Sequence, residues 1–220
     1  MVVDYAGNWA VANQLERATE SIGSNLIRGN SQRTNPLRRT SLDVSIASAH
    51  ECAACLDVCS AKELVRDGLI EEGKGALLRI IDMLYGLKKS PGDRTCEDPV
   101  PYGVRAFSHE HLDVYRLSLA VVEWLDVFLK RTTCSGRDAK KLDASSTSIV
   151  LNIAEGNAKI AGAERIRFID TAHVAALQCA LVSDLMVARG RTTAKDVRDA
   201  KGMLSRICSM LINWRRSLGG

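Results

Sequence analysis

The chain has little that breaks a helix and little that reacts. Only four prolines occur in 220 residues, and aromatic residues make up 5%. Three of the prolines (Pro91, Pro99 and Pro101) fall in one short stretch, which leaves long segments on either side free to be helical. No run of about eighteen apolar residues is present, as a membrane span would need, and the first residues lack a signal-peptide pattern. No membrane is therefore expected as a partner, and the cytoplasm is the expected location. A phosphate-cradling glycine loop is absent, as is the Glu-x-x-His pair that a di-iron bundle draws from two of its helices. Seven cysteines is an odd count, and five of them fall inside helical stretches. Reduced, buried thiols fit that better than a disulfide framework. A net charge of +4 permits contact with nucleic acid without demanding it.

What is present is an ordinary globular composition, 46% hydrophobic and 25% charged, in a chain that suits one large or two small domains. Its organising stretch is Ser148–Gly156. Leu142, Ser145, Ile149 and Asn152 recur at helical spacing, so Asn152 points where an apolar residue is expected, and Gly156 reads as the helix stop. A related stretch, Ser21 to Asn30, lies 127 residues earlier, with Gly29-Asn30 as its stop. The offset holds without a gap well beyond it: Leu15/Leu142, Asp43/Asp170, Cys52/Cys179, Asp57/Asp184, Lys74/Lys201 and Leu84/Leu211 all match. Ungapped agreement from Leu15 to Leu84 reads as a tandem duplication.

The pattern predicts helices from Asn8 or Trp9 to Arg28, from Pro36 to about Leu64, and after Asp67-Gly68, followed by a Pro-rich linker at 88–103. A further helix is predicted from Ser108 to Arg131, then three more at about 135–155, 162–189 and 194–217. The inner stripe of the second helix is Ser41, Ser45, Ser48, Cys52, Cys55 and Cys59, whose small side chains imply close helix approach. The expected architecture is all-α: tandem antiparallel up-down bundles, three helices in residues 1–87 and four in 104–220. One groove of the shorter bundle then needs a cover, from helix 108–131 or from another chain. On this reading 104–220 folds alone and 1–90 does not.

Phe107-Ser108-His109-Glu110-His111-Leu112-Asp113-Val114-Tyr115, Ser148–Gly156 and the Glu51–Cys59 helix together resemble the 23S ribosomal-RNA intervening-sequence protein family, bacterial four-helix bundles. The resemblance implies a small helical bundle that forms ring-like homo-oligomers. A distantly similar accessory protein of retroelements binds a reverse transcriptase and nucleic acid. The two halves differ in places: Arg28 stands at the station of Glu155, and Gln178 at that of Glu51.

Candidate chemistry is sparse. Cys52, Cys55 and Cys59 share a face, but the second copy has Cys179, Val182 and Met186 there, which marks packing positions rather than a metal site. His50, His109, His111 and His173 are scattered along the chain. No catalytic residue, cofactor or metal ligand is assigned. Arg28, Arg33, Arg38 and Arg39 crowd the first inter-helix turn, and Lys159, Arg165 and Arg167 the second, near helix starts where the dipole gives cations nothing. These seven are the candidate phosphate contacts. Ser21, Asn25, Glu51, Ser148, Asn152 and Gln178 are the expected polar core, with the asparagines buried and bonded across the bundle. The expectation is a non-enzymatic scaffold that self-associates as a homo-oligomer, with RNA, DNA or a partner protein as candidate ligands. The alternative is a nucleic-acid-binding accessory subunit of a polymerase, reverse transcriptase or nuclease system.

Overall fold

The computed structural model describes residues 9–31, 35–89, 107–132, 136–159 and 162–218. Among them the chain forms α1 (Trp9–Ser31), α2 (Asn35–Ala61), α3 (Asp67–Lys89), a 3-10 turn (Ser108–His111), α4 (Asp113–Arg131), α5 (Gly136–Ala158), α6 (Gly162–Ala188) and α7 (Arg198–Ser217). No strand occurs among the described residues. The lead-in at 1–8 and most of the 88–103 linker lie outside them.

The predicted glycine stops are corrected. α1 runs through Gly29 to Ser31, and α5 runs through Gly156 to Ala158. Both glycines serve close helix approach instead. A Cβ on Gly156 would sit 3.1 Å from Cβ of Phe168 on α6, and one on Gly29 would meet Leu42 and the Arg38 carbonyl of α2 at 3.4 Å. The true stop is at Gly190, whose φ of +66° ends α6. Arg191 N–H donates to Met186 O and Gly190 N–H to Val187 O, each at 2.9 Å, which is the Schellman pattern. α2 ends the same way, at Ala61 rather than Leu64, with Leu64 N–H on Cys59 O and Glu63 N–H on Ser60 O. There the left-handed station, φ +54°, is held by Glu63, which has a Cβ to accommodate. Two more boundaries shift. The helix read from Ser108 opens as a 3-10 turn and breaks at extended Leu112, and the last helix begins at Arg198, after a turn over 194–197.

Two pairs of helices have bounds 127 residues apart. Trp9 and Ser31 bound α1 as Gly136 and Ala158 bound α5, and Asn35 and Ala61 bound α2 as Gly162 and Ala188 bound α6. Ion pairs recur as well: Lys74 with Asp57 and Lys201 with Asp184, then Lys88 with Asp43 and Arg215 with Asp170.

α4, α5, α6 and α7 close a four-helix ring, each touching its two neighbours, whereas α2 stands between α1 and α3 without a fourth wall. α5 packs against α2 and reaches α1, and α4 also touches α2. One apolar cluster therefore holds Ala54, Cys55, Val58 and Cys59 of α2 together with Val121, Val122, Ile149, Val150, Ile169 and Ile207. Phe107, 2% exposed, enters the first three helices and packs with Ala18, Ile22, Ala49, Cys52, Leu77 and Ile81. The three cysteines of α2 are buried as expected, and burial pushes all their thiols up. Cys179 is pushed up to about 12 by the same cause. Lys62, 4% exposed, pairs with Asp143 of α5 where the two sets of helices meet. Removing either partner would leave a buried charge.

The contrast between Glu63 and Gly190 gives a direct test. Glu63→Gly should raise unfolding stability by about 1 kcal/mol by relieving the left-handed backbone, and Gly190→Ala should lower it by a similar amount. Urea midpoints of the two variants check both signs.

Candidate functional site

Three features stand apart from ordinary core: the basic turns, a polar cluster where α2 meets the 3-10 turn, and the outer face of α6.

The basic turns divide. Arg28, Arg39 and Arg167 are exposed, and Arg38 is half-buried. Arg33 lies outside the described residues. Arg165 is turned inward: its Nε donates to Gly156 O at 3.2 Å and its Nη2 to Lys159 O at 2.5 Å. It thus satisfies carbonyls at the C-terminal end of α5. Arg165 stands in the first turn of α6, but the dipole it meets is that of the C-terminal end of α5. Lys159 is likewise engaged, 3.7 Å from Glu155 and 5.3 Å over the Phe168 ring.

The polar core is corrected in two respects. Asn25 and Asn152 are half-buried and bond within their own helices, donating Nδ2 to Ser21 O (2.9 Å) and Ser148 O (2.7 Å) respectively. Only the first set continues across the bundle, where Ser21 Oγ lies 2.7 Å from Ser48 Oγ of α2. The equivalent of Ser48 is Ala175, which offers no hydroxyl. Gln178 is exposed and not part of any core, whereas Glu51, its counterpart, is half-buried. Burial pushes Glu51 up to about 7, the nearby Glu155 carboxylate adds to the shift, and Arg17 and Lys159 oppose it. The asymmetry follows from packing: the helix carrying Glu51 is covered by α5, and the face carrying Gln178 is bare.

The histidines are not all scattered. His50 of α2 and His109 of the 3-10 turn meet edge to face at 5.7 Å between ring centroids, and His109 stacks on Phe107 at 5.5 Å and tilts against Tyr115 at 4.7 Å. Burial lowers His50 to about 4 and His109 to about 3, with the His50 and Lys74 charges assisting the second. Both nitrogens of His109 and Nδ1 of His50 lack a hydrogen-bond partner. Beside them Asp57 accepts from Lys74 Nζ at 2.6 Å and from Tyr115 OH at 2.7 Å. Lys74 also pairs with Oε1 of Glu110, out of hydrogen-bonding geometry, while Oε2 caps the turn by accepting from Phe107 N–H at 2.9 Å. Asp57, His109 and Glu110 bring donor atoms within 4.8 Å of one another. They are fifty residues apart in the chain, and no spacing rule could have joined them.

The outer face of α6 carries Val174 (51% exposed), Leu177 (51%), Leu181 (57%) and Leu185 (38%) at steps of three and four residues. The opposite face supplies Ala172, Ala175, Cys179, Val182 and Met186 to the core. α6 is therefore apolar nearly all round, and an 18-residue window of it reaches a mean hydropathy of 1.4, enough by length and composition to cross a membrane. The four stations 127 residues earlier are Ala47, His50, Ala54 and Val58 on α2, and all four are buried.

Compared with known proteins, the family model described as 23S rRNA-intervening sequence protein matches residues 6–86, the segment holding α1, α2 and most of α3. No curated protein and no solved structure matches.

The Glu51 carboxyl supplies a pH test. A folded pKa above the usual 4.5 means that its contribution is fully present below pH 4.5 and is lost as pH rises through about 7. Glu51→Gln, neutral at every pH, should match the parent below pH 4.5 and exceed it in stability above pH ~7. Urea unfolding of both proteins across that range shows whether the gain grows with pH.

Proposed function

With residues 6–86 matching the family model described as 23S rRNA-intervening sequence protein, we propose that this chain is a non-enzymatic helical scaffold that self-associates through the outer face of α6. The observation that carries this reading is the Val174–Leu177–Leu181–Leu185 stripe. A helix apolar on both faces is a buried helix or a membrane one, and among the described residues only one face of α6 is covered. The same stations on α2 are covered by α4 and α5. The occupant proposed for α6 is a second copy of this chain. Its α1 is the counterpart of α5 and has Glu20, Gly23, Ser24 and Ile27 exposed at the stations where α5 buries Thr147, Val150, Leu151 and Ala154. Gly23 leaves open space for an approaching helix. At about 25 cal/mol per Å², covering four half-exposed aliphatic side chains contributes several kcal/mol.

A second reading, phosphate binding, draws on the exposed Arg28, Arg39 and Arg167. Arg165, already bonded to two carbonyls, is not a ligand in it.

Each reading has its own measurement. Light scattering at micromolar concentration should give a multiple of the 24.0 kDa chain. Leu177→Gln with Leu181→Gln should give a monomer with unchanged helical circular dichroism. A monomeric parent protein would end the assembly reading, and vesicle binding lost in the same variant would reassign the stripe to a membrane surface. For phosphate, Arg28, Arg39 and Arg167 changed together to Glu should remove low-salt RNA binding and its salt dependence. A parent protein that binds no RNA at low salt would end that second reading.

A further inference from the structure

Among the described residues, His109 stands out as a buried side chain without a polar partner. It is 0% exposed, held on a four-residue 3-10 turn, and neither ring nitrogen has a partner. A buried imidazole left unpaired is destabilising, and unsatisfied groups of this kind call for a ligand or a function. Around it are two carboxylates from different elements, Asp57 of α2 and Glu110 of the turn. The charge between those carboxylates is supplied by the Lys74 ammonium, which pairs with both. A cation is thus already required at this point, and a nitrogen donor without a partner faces it.

We propose that His109, Asp57 and Glu110 form a binding site for a divalent first-row transition ion of the zinc class, in competition with the ammonium of Lys74. One imidazole and two carboxylates form a mixed nitrogen–oxygen set that such ions accept, and three protein ligands leave a fourth position for water. Tetrahedral donors at ~2.1 Å from the ion lie roughly 3.4 Å apart. The observed spacing, within 4.8 Å, is thus about 1.4 Å wider at most, a difference that small side-chain rotations of Asp57 and Glu110 close. Charge favours the exchange. Asp57, Glu110 and Lys74 sum to one negative charge, and a dication with Lys74 displaced leaves the carboxylate pair neutralised. The Lys74 side chain is 21% exposed, so it has a route to solvent. The cysteines of α2 are not part of the set. Asp184, paired with Lys201 at the equivalent station, is 56% exposed, and no histidine joins it in a metal-ligand group among the described residues.

The test uses the full chain, reduced and stripped with chelator, titrated with cobalt(II) as a visible probe and with zinc(II). The expected result is one cobalt per chain, with ligand-field absorption and without the thiolate charge-transfer band that a cysteine site would show. His109→Phe, which keeps an aromatic ring between Phe107 and Tyr115, and Glu110→Gln, which keeps the cap on Phe107 N–H, should each weaken binding at least tenfold. Lys74→Met removes the competitor. It should bind at least tenfold more tightly, and its thermal midpoint, lowered without metal, should be restored by zinc. The proposal is overturned by an absence of binding in both the parent protein and Lys74→Met. It is equally overturned by a thiolate band, or by binding unchanged in His109→Phe and Glu110→Gln.

Discussion

The structure depends on α2 being packed on three sides at once. α1 and α3 flank it, and α5, with α4, lies on its third face. That is possible because the helix is lined with small residues: Ser41, Ser45, Ser48, Ala49, Cys52, Ala53, Ala54 and Cys55 are all under 9% exposed. Small side chains let backbones approach, and Ser45 uses the approach to donate to Ile22 O at 3.0 Å. Larger residues there would push α1 and α5 away and open both clusters. Asp57 then ties the arrangement laterally, holding Lys74 of α3 and Tyr115 of α4 on one carboxyl group. Burial raises its pKa, and the Lys74 and Tyr115 contacts counter that shift.

Much of this was legible in the residues. The serine and cysteine stripe of α2 follows helical spacing, and the thiols lie where periodicity placed them. Helix order followed from turn composition. The errors are of one physical kind, in which a residue type has two uses and local sequence does not say which applies. Gly29 and Gly156 read as stops but permit close approach, while the left-handed stop of α2 falls on Glu63, a residue that advertises nothing. Arg165 reads as a free cation at a helix start but bonds the end of the preceding helix. The meeting of His50, His109 and Asp57 depends on a chain path through Phe107, and contacts of that range leave no periodic trace.

α1 and α5, and α2 and α6, share bounds at an offset of 127, and two ion pairs recur at it, so the differences between these helices identify what surrounds each set. Glu51 is half-buried and Gln178 exposed; Val58 is buried and Leu185 exposed. In each pair the residue on α2 is the covered one, because α4 and α5 lie against it. The larger, more apolar residues on α6 stand in the open. Size and hydropathy at those stations run opposite to burial among the described residues, which is the physical reason for proposing an external partner for α6.

The central claim is that the first three helices and the last four share one core through α2 and α5. Native-state hydrogen exchange measures this without requiring either part to fold alone. If the claim holds, core amides of α2 and α5 exchange through openings of the same free energy, and Phe107→Ala lowers both together. If α1–α3 instead open through a separate, less costly transition while α4–α7 keep full protection, the shared core is wrong.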